Sequence, residues 1–243
     1  MKKPPIFLDI PPPAAPFEGY NKATFKFLHN LKNNNNKLWF DAHRTEYETV
    51  LREPSKILVT IMASIFATEN LPFVADLRRS LFRINRDIRF SKNKSPYKTH
   101  IGIVFGLDNL ANEEWAGMYM GMEPKGTANI SCYFGGGAYA PTSQFLKAIR
   151  TRIANNYKRF EQLNNAKTFR KEFPKGITGA SLIRMPKGFD EERPAAQWLK
   201  LKEFLYNSPL TKSDLTSGDL PNILLRKIKV AMPMLLFIAG RDK

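Results

Sequence analysis

Between Arg78 and His100 the chain sets eight Lys/Arg residues against one acidic residue, Asp87. Arg83 and Arg89 carry planar guanidinium forks that match pairs of phosphate oxygens. Lys92, Lys94 and Lys98 offer compact point charges. His100 titrates near neutrality, and Asp87 is the one carboxylate close enough in sequence to orient it. Two chemistries follow from these residue types. One is capture of a polyanion or phosphorylated ligand by the cations. The other is phosphoester hydrolysis or transfer, with His100 as acid/base, Asp87 behind it and the arginines facing developing negative charge.

The elements that must position these groups are read from periodicity. Phe82, Ile84, Ile88 and Phe90 alternate with Arg83, Asn85, Asp87 and Arg89, which predicts a strand over 81–90. Ser91 to Lys98 is then a polar turn containing Pro96 and Tyr97, and a second strand follows near 99–106. With Ile88 opposite Ile101, Arg89 would stand beside His100. A third strand at 115–122 puts Met118, Met120 and Met122 opposite Gly117, Tyr119 and Gly121, and a fourth at 128–134 separates Ile130, Cys132 and Phe134 from Ser131 and Tyr133. The expected fold is therefore α+β: an antiparallel meander of about four strands over 81–134, with N- and C-terminal helices packed on its apolar face. The polar face would offer Tyr97, Tyr119 and Tyr133 as stacking surfaces for bases. Arg86 falls on the apolar side of the first strand, so it is expected to be a buried structural charge with a carboxylate or carbonyl partner.

Residues 1–20 are proline-rich and read as an extended tail, pinned by Ile6, Phe7 and Leu8, before a single domain over 21–243. Helices are expected from a cap at Asn21, over 37–51, from Pro54 to about Glu69, from a cap at Thr142 or Ser143, over 160–173 and over 219–232. The run Asn33 to Asn36 reads as compositional bias ending the first helix, and Gly135-Gly136-Gly137 as a flexible turn that fits no phosphate-loop spacing. Residues 180–185 read as a short strand, and 199–205 as either strand or helix.

The whole chain sharpens the ligand class. Its 38 Lys/Arg against 22 Asp/Glu give a net charge of +16, which favours anionic partners. One cysteine in 243 residues excludes a disulfide framework and a thiolate zinc site. The three histidines show no metal-ligand spacing, so neither metal nor cofactor is expected. The longest apolar run, 231–239, is short for a bilayer and contains Pro233, so no membrane association is expected and the location reads as cytoplasmic.

The stretch from Arg83 to His100 resembles the uncharacterised family called domain of unknown function 2461. The likeness extends to Asn34 through Tyr47 with its Trp39-Phe40, to the Gly135–Pro141 segment and to Pro186-Lys187-Gly188-Phe189-Asp190, and spans about residues 21–238. It implies a single intracellular domain and no particular activity, so no catalytic residues follow from it. From the residues themselves, the expected function is binding of nucleic acid, a nucleotide or a sugar phosphate by Arg83, Arg89, Lys92, Lys94, Tyr97, Lys98 and His100. The alternatives are a phosphoester hydrolase or transferase using His100 and Asp87, and a protein-interaction scaffold.

Overall fold

In the computed structural model, which describes residues 15–108, 110, 115–126, 129–192 and 194–242, five strands pair antiparallel in chain order. They are β1 (Phe73–Val74), β2 (Ile101–Leu107), β3 (Gly117–Lys125), β4 (Asn129–Ala138) and β5 (Phe204–Leu210). The period-2 pattern sets the faces as expected for β2, β3 and β4. Ile101, Ile103, Phe105, Met118, Met120, Met122, Cys132 and Phe134 are all buried on one side. Helices pack on that side. The α-helices among the described residues are α1 (Lys22–Asn33), which packs on β3, α2 (Lys37–Ala42), α3 (Arg44–Tyr47), α4 (Glu53–Thr68), which meets β1, α5 (Ser143–Asn155), α6 (Tyr157–Asn165), α7 (Lys167–Glu172), α8 (Ala196–Leu199), α9 (Lys212–Thr216) and α10 (Leu220–Ala239), which packs on β4. The class is α+β. Among the described residues no helix is long and apolar enough to cross a membrane.

The stretch 81–90 is not a strand. Its alternation is real, but Phe82 is 41% exposed and Phe90 96% exposed, so no apolar face is buried. The edge of β2 is occupied elsewhere, by β1 and by a bridge of Leu81 to Ile103. Residues beyond Leu81 turn back on themselves instead, joined by the bridge of Asn85 to Tyr97. Arg86 is correspondingly half-buried rather than buried. Its Nη2 reaches Ser91 Oγ, at 3.4 Å, and no carboxylate among the described residues.

The glycine run is the second difference. Gly135, Gly136 and Gly137 lie inside β4, paired with β3 on one side and β5 on the other. A Cβ at Gly135 would stand 2.1 Å from the Tyr206 carbonyl oxygen, and Gly137 has φ of +125°. Glycine is required there by close strand approach, which no local pattern encodes.

Helix breaks also depart from expectation. Residues 44–68 run continuously through α3, a π-helical turn (Glu48–Arg52) and α4. Pro54 has no N–H for the Val50 carbonyl one turn back, and the wider turn relieves the ring clash. The freed carbonyl accepts instead from Thr24 Oγ1 at 2.7 Å, which fixes α1 against this segment. The expected helix over 160–173 breaks between α6 and α7, and 199–205 holds both the end of α8 and the start of β5. The short strand at 180–185 is reduced to the bridge of Ser181 to Leu201. Helix α10 continues past Pro233 to Ala239, because Met234, Leu235, Phe237 and Ile238 are buried there and outweigh one lost helix bond.

Ile6, Phe7 and Leu8, and the expected start of the fourth strand at Ala128, lie outside the described residues. Phe17 and Tyr20 belong to the core. The Tyr20 backbone N–H donates to the Leu215 carbonyl at 2.8 Å, and its hydroxyl is 2.9 Å from Ser55 Oγ.

Candidate functional site

The basic segment is held by three successive backbone clamps. Asp76 starts the first: its carboxylate accepts the backbone N–H groups of Arg78 and Arg79 at 2.8 and 3.0 Å. Its own N–H donates to Ser80 Oγ at 3.0 Å. This turn leaves the Arg78 and Arg79 side chains exposed while fixing their main chain. The second clamp is the β2 edge, where Val104 N–H donates to Ser80 O at 2.8 Å and Phe82 N–H to Gly102 O at 3.1 Å. The third closes the loop on itself, with Lys98 N–H to Ile84 O at 2.7 Å and Arg86 N–H to Pro96 O at 2.9 Å. Arg83 sits between the second and third clamps, and Lys98 sits on the third.

Asn35 supplies the tie to the helical layer. Its amide donates to Tyr97 O at 2.9 Å and accepts from Tyr97 N–H at 3.0 Å, as a neighbouring strand residue would. Tyr97 is thereby buried, 5% exposed, and stacks on Phe40 with ring centroids 4.0 Å apart. The asparagine run is thus structural at each turn of the chain: Asn34 Nδ2 bonds Asn30 O, Asn35 clamps Tyr97, and Asn36 caps α2 through Trp39 N–H.

These clamps shape a cleft of about 820 Å³ between the 44–56 helical segment and residues 77–85. Arg44, Arg52, Lys56, Arg78, Arg79, Arg83 and Lys98 line it, with Glu48 as its one carboxylate among the described residues. Glu48 is held by Arg52 at 2.8 Å, Arg44 pairs with Asp41 at 2.7 Å, and Lys56 pairs with Glu53. Arg78, Arg79, Arg83 and Lys98 have no carboxylate partner among the described residues. Burial first, and then the positive charge of Arg83, hold the Lys98 ammonium below its ordinary pKa. A group of that kind gains from a nearby anion.

The sequence-derived candidates divide. Arg83 and Lys98 line the cleft. Arg89 is turned away into the loop tip, where its Nε and Nη2 fork onto Asp87 at 3.0 and 2.7 Å. That fork, followed by the Arg89 backbone N–H, lowers the Asp87 carboxyl below its usual range. Lys92 and Lys94 are exposed on the same tip, with Lys94 Nζ bonded to the Ile88 carbonyl at 3.0 Å. His100 is half-buried in a separate hollow of about 90 Å³ with Tyr119, Glu123 and Tyr133. Burial, then Lys98, lowers the imidazole pKa, Glu123 opposes them, and Arg86 adds to the drop, so His100 is neutral at pH 7. Arg44, Arg78 and Arg79 were absent from the sequence-derived set. A count of unpaired cations between 78 and 83 would have flagged two of them, but Arg44 reaches the cleft only through the packing of α3.

The face of the sheet turned away from the helices adjoins this cleft. It carries Phe82, Tyr119 and Tyr133 in a line, with ring centroids 6.1 and 5.6 Å apart. Lys98 Nζ stands 5.1 Å from the Phe82 centroid, where cleft and face meet. Elsewhere, His29, Lys22, Lys26 and Lys212 edge a smaller hollow of about 390 Å³, and His29 Nε2 is 2.9 Å from the Asn129 carbonyl oxygen. His43 stacks on Trp39 at 4.0 Å. Cys132 is buried, its thiol pushed up to about 12 by burial, so it is inert as a nucleophile. No three His, Cys, Asp or Glu side chains gather to hold a metal ion among the described residues.

A family model for conserved hypothetical proteins of domain of unknown function 2461 (DUF2461) matches residues 23–237. No curated protein and no solved structure matches the chain. The match runs from the second residue of α1 almost to the end of α10 and takes in every strand and the whole basic segment: the chain belongs to the DUF2461 family of conserved hypothetical proteins.

Proposed function

We propose that this protein binds a phosphate-bearing polyanion along the cleft between the 44–56 segment and residues 77–85. The observation that carries this reading is the convergence of Arg78, Arg79, Arg83 and Lys98 on one concavity without carboxylate partners among the described residues. Cations that only solvate a surface are normally interspersed with acids. Here a fixed backbone holds four of them together, at an electrostatic cost that a bound anion relieves. The loop-tip cations Lys92 and Lys94 lie outside this lining, and Arg89 is already occupied by Asp87.

The hydrolase alternative has less support. Asp87 is committed to Arg89, and the charges acting on His100 are those of Lys98, Glu123 and Arg86. The polyanion reading is tested by titrating heparin and nucleic acids against the parent protein over a salt series. The affinity should fall with salt, by a logarithmic slope of about 0.9 per neutralised phosphate on duplex DNA and about 0.7 on single strands. Replacing Arg78, Arg79 and Arg83 by Gln should flatten that slope by about two to three phosphate equivalents. The melting temperature should hardly move, since exposed charges contribute little to stability. Absence of binding by the parent at low salt would overturn the reading.

A further inference from the structure

We infer that the polyanion is single-stranded nucleic acid, with its bases laid on the open face of the sheet; this rests on the polyanion reading above. On that face the strand register aligns Gly102, Gly121 and Tyr133 in one cross-strand row. Val104, Tyr119 and Gly135 form the next row, and Gly106, Gly117 and Gly137 the third. Every large ring therefore has a glycine beside it.

The consequence is that the rings lie down on the sheet. A Cβ at Gly121 would stand 2.7 Å from Tyr133 Cζ and 2.8 Å from Tyr119 Cε1. One at Gly102 would stand 2.9 Å from Phe82 Cδ2 and from the Tyr119 hydroxyl. With no Cβ in the way, each ring takes up the space directly over the backbone. Trp115 does the same over Gly106, its Nε1 3.4 Å from where a Cβ would be. The rings stay accessible on their outer side, with Phe82 41% and Trp115 37% exposed and Tyr119 and Tyr133 partly so.

Such a surface takes planar rings, and its neighbour takes phosphates. Phe82 belongs to both: its ring meets Tyr119 at 6.1 Å and Lys98 Nζ at 5.1 Å, and it lines the basic cleft. A strand whose backbone follows the cleft can turn unpaired bases onto the ring line. Stacking of this kind accepts any base, because every base has a π face. Duplex nucleic acid keeps its bases stacked inside, so the ring line adds nothing to its affinity.

Fluorescence anisotropy distinguishes these ligands, using oligothymidylate, oligouridylate, an abasic deoxyribose-phosphate oligomer and a duplex, each of roughly 12 nucleotides per strand, a length within the range one such platform covers. Both base-bearing single strands should bind about ten-fold or more tightly than the abasic backbone of equal charge. Tyr133→Leu, outside the cleft lining, should remove most of that difference and leave abasic binding unchanged, while Tyr133→Phe should retain it. Equal affinity for abasic and base-bearing strands, or tighter binding of duplex, would overturn base stacking and leave the polyanion reading standing. If none of the four bound, both readings would fall. Should a leucine variant melt early, the abasic-to-base ratio of the parent still decides.

Discussion

The Lys98 ammonium stands 5.1 Å from the centroid of the Phe82 ring, at the seam between the basic cleft and the open sheet face. Burial and the charge of Arg83 lower its pKa from 10.5, so it releases its proton earlier than an ordinary lysine as pH rises. A bound phosphate favours the charged form and raises that pKa again. Polyanion affinity is therefore predicted to decline on raising the pH before the ordinary lysine range is reached, with proton uptake on binding in that window. Lys98→Gln should abolish this alkaline decline. An affinity unchanged up to pH 10.5 in the parent would count against Lys98 as a ligand group.

The asparagine run should show a steep gradient in urea denaturation. Asn35→Ala strands both backbone groups of buried Tyr97, each an unsatisfied group costing about 1–3 kcal/mol. Asn36→Ala removes a helix cap worth about 1 kcal/mol. Asn34→Ala loses an exposed contact and should stay within about 0.5 kcal/mol of the parent. Equal effects at 34 and 35 would contradict the clamp.

Thr24 and Pro54 should be coupled through the Val50 carbonyl. Thr24→Val keeps the shape but leaves the Val50 carbonyl without its donor, a loss of about 1–3 kcal/mol. In a Pro54→Ala background residue 54 regains an N–H that can serve that carbonyl. The cost of Thr24→Val should then shrink, and a double-mutant cycle reads the difference. Strict additivity would show that the π-helical turn has another cause.

Beneath the sheet, Glu172 accepts from Lys227 Nζ at 2.9 Å and from Arg226, and Lys227 also reaches Ser208 Oγ at 2.9 Å. Lys227 and Glu172 are both buried. Glu172→Ala leaves the ammonium unpaired and should destabilise by about 3–5 kcal/mol. Adding Lys227→Met should restore much of the loss, because the uncompensated charge leaves with it. Thermal melts of the two variants check this.

Arg86→Ala is predicted to melt within about 0.5 kcal/mol of the parent, since the side chain is half-buried and its hydrogen bond to Ser91 Oγ is long at 3.4 Å. A loss of several kcal/mol would restore the buried-charge reading drawn from the alternation of residues 82–90.

What the sequence determined by itself was the part governed by local periodicity. The alternation of Ile101, Ile103 and Phe105, and of Met118, Met120 and Met122, set strands and their buried face, because a one-residue slip would turn the whole apolar set to solvent. The charge of the 78–100 segment was equally plain, as composition does not depend on fold. Tertiary structure alone decided the rest, and in each case the reason is a partner far away in the chain. Residues 81–90 have strand-like alternation, but a strand needs an edge to pair with, and Phe73–Val74 and Leu81 already fill that of β2. Gly135 to Gly137 look like a turn until Tyr206 and Phe204 press their carbonyls against them. Tyr97 reads as a stacking surface but lies in the core, because Asn35 matches its backbone and Phe40 its ring. Phe82 took its place on the open face, for the opposite reason: the bond of its backbone N–H to Gly102 O holds it over a glycine, where nothing stands between its ring and the sheet.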